Sequence, residues 1–264
     1  MVWCPSHECG GDLAQDAELP SRRTARSGHG GGPRPRPRHG SSPRRSGRGR
    51  DAPGPERGEA REAAEAIRAR GDRAEAVALD VTDTGAVATL VADRGPFQVL
   101  VNNAGTNRPA ALVDITENDY DAVTDLNVRS AIFVAKAIAK GLIAAKLPGS
   151  IINVSSQMGH VGGPERTVYC ATKHALEGAT KAMAWELGAH GIRVNTICPT
   201  FIETPMTAGM LADSEFRGLV TSKIALGRIG QVEDVMGAVV YLASDASALV
   251  TGSALMIDGG WTAA

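Results

Sequence analysis

A chain of 264 residues, 43% of them hydrophobic, is long enough to bury one sizeable α/β core, which excludes a wholly disordered protein and a small disulfide-stapled module. Its 28 Lys and Arg nearly cancel its 29 Asp and Glu, so no global charge draws it to nucleic acid or to an anionic membrane. Cys4, Cys9, Cys170 and Cys198 are too few and too scattered for a disulfide framework, and a soluble protein of the reducing cytoplasm is the expectation.

The near-neutral sum hides an asymmetry. Residues 21–50 carry ten Arg and no acidic residue, and residues 1–55 as a whole are crowded with Gly, Pro, Arg and Ser, with little to bury. By composition this first region is disordered. A nucleic-acid arm is the alternative for the arginines, and it is set aside in favour of the reading-frame explanation below. Residues 1–20 lack an apolar core, so no secretory leader is expected, and no run reaches the ~20 apolar residues of a membrane span. Cys4, His7 and Cys9 have no second ligand pair at zinc spacing, and no metal site is expected.

From Glu56 the chain reads as one folded domain, 56–264. Helix formers fill 59–70 ahead of Gly71, and a strand is expected at 74–79. A helix at 85–94, a strand at 97–101, a long helix at 117–145 and a strand at 150–154 follow. Next come a helix at 167–190, a strand at 193–197, a segment 206–224 with the character of a mobile substrate lid, a helix at 232–244 and a last strand at 254–257. Short apolar strands alternating with longer helices predict an α/β fold, a Rossmann-like doubly wound parallel sheet with helices on both faces and ligands beyond the carboxyl ends of the strands.

Those ends are polar or small. Asp80 closes one expected strand, Asn102-Asn103-Ala104-Gly105 the next, Ser155-Ser156 the third and Cys198-Pro199-Thr200 the fourth. Any one of them has a plain reading as a turn or cap; four in succession mark a site. Tyr169 and Lys173 stand four apart on the helix 167–190 and so share a face. A phenol titrating near ~10 is a poor acid/base at neutral pH, but an ammonium nearby favours phenolate and draws it toward the working range. Ser156, thirteen positions earlier on the preceding loop, is placed to hold a substrate carbonyl oxygen. Cys170 and Cys198 read as packing residues, and His160, His174 and His190 as surface or cap residues. Trp185 belongs either to a subunit interface or to the core.

In order, the marks Asp80-Val81, Asn102-Asn103-Ala104-Gly105, Asn127, Ile151-Ile152-Asn153-Val154 into Ser155-Ser156, Tyr169-Cys170-Ala171-Thr172-Lys173, Arg193-Val194-Asn195 with Pro199, Ile202-Glu203-Thr204 and Asp258-Gly259-Gly260 resemble the classical short-chain dehydrogenase/reductase family over 80–260. The resemblance implies an NAD- or NADP-dependent oxidoreductase interconverting a carbonyl and a secondary alcohol of a small molecule: a sugar, a sugar acid or a 3-oxoacyl thioester. It implies that Ser156 orients the substrate oxygen, Tyr169 moves the proton, Lys173 lowers the pKa of Tyr169 and grips the nicotinamide ribose, and Asn127 holds a water in the proton relay. Asp80 and Val81 would bracket the adenine, Asn102, Ala104 and Gly105 would flank the cofactor with Tyr169, Lys173 and Pro199, and Ile202 and Thr204 would meet the carboxamide. A homotetramer or homodimer through the Tyr169 helix is also implied. Pro199-Thr200 stands where the family has Pro-Gly, which adds a side chain beside the nicotinamide.

One family mark is missing. The opening strand and its Thr-Gly-x-x-x-Gly-x-Gly loop, which brings backbone and a helix N-terminus to the pyrophosphate, have no counterpart; Gly28, Gly30, Gly31 and Gly32 are followed by Pro33, Pro35 and Pro37, which forbid the helix. The first β-α-β unit is thus absent or frameshifted. Dropping the first base of the Gly28 codon permits Val-Thr-Gly-Ala-Ala-Arg-Gly-Leu-Gly-Arg-Ala-Met, and Asn102 stands 73 positions after His29, the family's spacing. The other class of reading is a catalytically silent binding or scaffold protein that lacks a competent dinucleotide site.

Overall fold

The computed structural model describes residues 2–3 and 55–263, so the glycine-rich stretch 28–32 and the Cys4, His7 and Cys9 group lie outside the described residues. The chain divides between Ala78 and Leu79 into two compact units. In the first, β1 (Val2–Trp3) pairs antiparallel with β2 (Glu75–Ala76), and α1 (Pro55–Ala69) precedes Gly71, whose φ of 93° is a left-handed value suited to glycine. Arg68 Nη1 donates to Ala74 O at 2.9 Å and ties the helix end to β2. The strand expected at 74–79 therefore shrinks to two residues outside the parallel sheet. Leu79 and Val81, at the start of the second unit, instead turn their side chains onto a core that contains Val87 and Val134, so burial wins over a place in the ladder.

The second unit runs α2 (Thr84–Arg94), β3 (Val99–Asn102), α3 (Glu117–Thr124), α4 (Ser130–Ala145), β4 (Gly149–Val154), α5 (Thr167–Leu187), β5 (Ile192–Pro199), α6 (Pro205–Leu211), α7 (Ser214–Ser222), α8 (Val232–Ala243) and β6 (Ala254–Ile257). The strands form a parallel sheet in the order β3-β4-β5-β6, as the alternating pattern predicts. Because side chains alternate across a strand, Ile151 joins Val87, Val134, Ile138, Leu142 and Ala184 beneath α2, α4 and α5, while Ile152 joins Ile197 and Leu242 beneath α8. Both isoleucines are fully buried, and each such side chain contributes ~1.5–3 kcal/mol, so a one-residue slip of β4 is excluded by its two faces at once. The polar residues around them are satisfied: Ser150 Oγ donates to Leu242 O at 2.7 Å and Asn153 Nδ2 to Thr180 Oγ1 at 2.9 Å.

Three expected elements differ in detail. The helix 117–145 is interrupted by a wide π-type turn, Asp125–Arg129, which carries Asn127 into the interior. The end of 167–190 tightens to a 3₁₀ turn, Gly188–His190, closed by Gly191 at φ 72°. The lid segment forms α6 and α7, and its Leu211, Val220 and Ile224 share a buried cluster with Ile229, against which Phe201, Phe216 and Trp261 pack.

Candidate active site

The turn before α5 places Glu165 at φ 57°, after which the helix sets Tyr169, Lys173 and Glu177 at four-residue steps along one face. Lys173 is 6% exposed; its Nζ donates to Val154 O at the end of β4, at 2.8 Å, and lies 5.5 Å from the centroid of the Tyr169 ring. Ser156 follows β4 and caps the short turn Gln157–Gly159, with its Oγ accepting from Met158 N at 3.1 Å and donating to Gln157 Oε1 at 3.0 Å. The same hydroxyl favours ionisation of the Tyr169 phenol. A Cβ on Gly105 would lie 3.3 Å from Asn127 Oδ1 and 3.8 Å from Lys173 Nζ, so the loop after β3 closes over this group.

The electrostatics depart from one expectation. Burial raises the Tyr169 phenol above its ordinary value, with the Ser156 hydroxyl and the Arg166 charge only partly drawing it back. Lys173 does not draw it down as its position four residues away suggests: its ammonium serves the Val154 carbonyl, and burial lowers Lys173 itself to about 8. Asn127 likewise commits its side chain, with Oδ1 accepting from Thr106 N at 2.8 Å and Nδ2 donating to Thr106 O at 2.9 Å and Thr172 Oγ1 at 3.1 Å. Both amide hydrogens thus clamp the β3 loop to α5, and a relay water would have to bind Asn127 elsewhere.

A hydroxyl follows β4, a phenol and a lysine share one face of α5, and the sequence profile described as Enoyl-(Acyl carrier protein) reductase matches residues 55–262. This chain belongs to the short-chain dehydrogenase/reductase family. It is similar to the D-erythrulose reductase of Gallus gallus, 40% identical over 187 residues, 71% of this chain and 76% of that one. It is 39% identical to the gluconate 5-dehydrogenase of Gluconobacter oxydans over 198 residues, 74% and 77% of the two chains. A solved gluconate 5-dehydrogenase from Burkholderia cenocepacia, in complex with NADP and tartrate, superposes with a TM-score of 0.73 at 33% identity, covering 77% of this chain and 81% of that one. All three relatives bear the names of enzymes, which lends the scaffold alternative no support.

The remaining predicted residues of this short-chain dehydrogenase/reductase are engaged elsewhere. Asp80 Oδ1 accepts from Thr82 N at 2.9 Å and Thr82 Oγ1 at 2.7 Å, forming a turn where a strand end was expected, and Val81 packs on the core. Asn102 Nδ2 donates to Ala131 O at 3.1 Å and Asn153 Oδ1 at 2.9 Å, joining β3 to α4 and β4. Pro199 is the last residue of β5, Ile202 bridges Gly230, and Thr204 caps α6 reciprocally with Thr207. A surface cavity beside Thr204, lined also by Glu203, Leu211 and Arg217, does not include Ser156, Tyr169 or Lys173.

Sequence reasoning missed several residues. Thr106, Thr172 and the Val154 carbonyl hold the predicted residues in place, and they carry no chemical signature of their own. Arg166, three before Tyr169, is only 8% exposed, which a charged side chain gives no reason to expect. Glu177 was within reach of pattern reasoning, since it continues the row through Tyr169 and Lys173. His160 and Cys198, read as surface and packing residues, come to it from two other elements.

Proposed function

We propose that this chain interconverts a carbonyl and a secondary alcohol with NAD or NADP, with Tyr169 as acid and base. The supporting observation is the Ser156, Tyr169 and Lys173 group itself, in which a half-buried phenol has a buried lysine one helical turn on, 5.5 Å from the ring centroid, and is influenced by a buried hydroxyl from the loop after β4. Bound dinucleotide would supply or accept the hydride at the substrate carbon. In the reducing direction Ser156 holds the carbonyl oxygen, Tyr169 gives it the phenolic proton, and that proton is replaced by way of Asn127. Oxidation runs through the same groups in reverse.

The residues present fit a nicotinamide. Buried Asn107 Oδ1 and Thr200 Oγ1, just past the carboxyl ends of β3 and β5, have no hydrogen-bond partner. On this reading Lys173 holds the ribose, Asn102, Ala104 and Gly105 the cofactor's flank, Pro199, Ile202 and Thr204 the carboxamide, and Asp80 with Val81 the adenine. The residue that reads the ribose 2′ position falls within 1–55, the region before the catalytic domain, whose stretch from Gly28 we read as frameshifted. Free Cys170 and Cys198 suit a cytoplasmic setting. Among the described residues no helix is long and apolar enough to cross a membrane.

Among sugar, sugar-acid and acyl-thioester substrates, Arg166 favours the sugar acid. Its guanidinium reaches only Glu165 O at 3.2 Å and Met210 Sδ at 3.5 Å, and among the described residues no carboxylate pairs with it. A buried guanidinium so poorly satisfied is best served by a carboxylate arriving with the substrate. Replacing Arg166→Met should raise KM for an aldonate at least about tenfold and leave KM for a neutral polyol unchanged; equal KM effects on both would remove the sugar-acid assignment. Replacing Tyr169→Phe should lower turnover by about 10²–10⁴-fold with the far-ultraviolet dichroism unchanged, and full turnover would end the proposal.

A further inference from the structure

We propose that His160, Glu177 and Cys198 form a binding site for a divalent transition ion, Zn²⁺ foremost, at the Glu177 end of the Tyr169 row of α5. Three donor types suited to such an ion meet there: an imidazole, a carboxylate and a thiol. His160 Nε2 lies 3.6 Å from Glu177 Oε1, Cys198 Sγ lies 3.3 Å from the same oxygen, and Cys198 Sγ lies 3.5 Å from His160 Nε2. A tetrahedral zinc with Zn–N and Zn–O near ~2.1 Å and Zn–S near ~2.3 Å requires ligand atoms roughly 3.3–3.7 Å apart. All three measured edges fall in that range.

The surroundings add what a metal site needs beyond its ligands. Glu177 Oε2, the carboxylate oxygen turned away from the triangle, accepts from Thr196 Oγ1 at 2.9 Å, which fixes the plane of the carboxylate. Ser155, 4% exposed, borders Cys198, and its Oγ has no hydrogen-bond partner. It stands beside Glu177 as well, since a Cβ on Gly159 would lie 3.0 Å from Ser155 Oγ and 3.2 Å from Glu177 Cγ. An orphaned hydroxyl at that place is suited to the fourth position, directly or through a water. Glu177 and Cys198 are buried, whereas the His160 side chain is 32% exposed and offers the ion an entry. Binding forms three ligand bonds, releases the Cys198 proton to solvent and leaves the imidazole neutral. The site uses none of the groups assigned to proton or hydride transfer, so it stands or falls separately from the proposed activity.

The test uses the full chain carrying Cys4→Ser and Cys9→Ser, stripped with a chelator and titrated with Co²⁺. A sulfur-to-cobalt absorption band with tetrahedral ligand-field bands should saturate at a single equivalent and be displaced by Zn²⁺. Cys198→Ser should abolish the sulfur band, His160→Gln should weaken binding by at least about 10- to 100-fold, and Cys170→Ser should change neither. No sulfur band at large Co²⁺ excess, or one that survives Cys198→Ser, overturns the site and leaves a hydrogen-bonded cluster. Should Cys198→Ser fail to fold, the partly exposed His160 decides, because unchanged affinity in His160→Gln is equally fatal to the proposal.

Discussion

Lys173 shows at the scale of one residue how burial and charge compete. Its ordinary value of 10.5 falls to about 8 because burial penalises the ammonium more than Cys198 and Glu177 favour it. Between those two values the unfolded chain binds more protons than the native one, so native stability rises with pH across that window, and the penalty of about 3 kcal/mol is fully present below pH 8. Lys173→Met removes the penalty but also the bond to Val154 O. Urea unfolding should therefore show the difference between the two proteins moving in favour of the wild type from pH 7 to 10, and a flat difference would mean that the lysine is not buried as a cation. The Tyr169 and Lys173 pair was legible because a four-residue step on a helix guarantees a shared face. What the ammonium does there was not, since its partner is a main-chain carbonyl nineteen positions away.

At the scale of elements, two glycines of similar appearance in sequence have opposite tasks. Gly149 opens β4 where a Cβ would come 2.5 Å from Leu142 Cδ1 and 2.8 Å from Gln98 O, a backbone atom that cannot step aside. Gly178, exposed within α5, would meet nothing within 4 Å. Thermal unfolding should find Gly149→Ala less stable by about 1–3 kcal/mol and Gly178→Ala more stable by about 0.5–1 kcal/mol. Matching signs for the two would show that β4 and α4 are not packed this closely. The strands and most helices were readable because their periods are local. The break at Asp125–Arg129 was not, because Asn127 finds its partners 21 and 45 positions away. Trp185, 89% exposed on α5, is not a core residue; we read it as a contact with a second copy of the chain, and a purely monomeric protein in light scattering would remove that reading.

For the molecule as a whole, β3 is the outer strand of the parallel sheet among the described residues. β3 pairs only with β4 among the described residues, and Val99 and Val101 are 43% and 37% exposed where strands of a parallel sheet are ordinarily buried on both faces. The strand and glycine loop that the family places before β3 have no counterpart in the sequence of residues 1–55, and we read that stretch as encoded in another frame. Sequencing the gene tests this directly: CAT at the His29 codon forbids the required threonine and ends the idea. With the frame restored, the protein should bind NADPH or NADH in a fluorescence titration at least about tenfold more tightly than the chain as it stands, since the pyrophosphate would regain its glycine loop and helix N-terminus. Equal affinities would mean that residues 1–55 are a true divergent segment.

By itself the sequence determined the alternation of strand and helix, the family, and the Ser156, Tyr169 and Lys173 group, because hydrophobic period and short spacings are properties of neighbours along a chain. Only the tertiary structure decided which partner each polar group took: Val154 for Lys173, Thr106 and Thr172 for Asn127, and the meeting of His160 and Cys198 at Glu177. Those pairings depend on how strands and helices stack, and stacking is settled by burial on both faces of the sheet at once, a sum over residues far apart that no local pattern records.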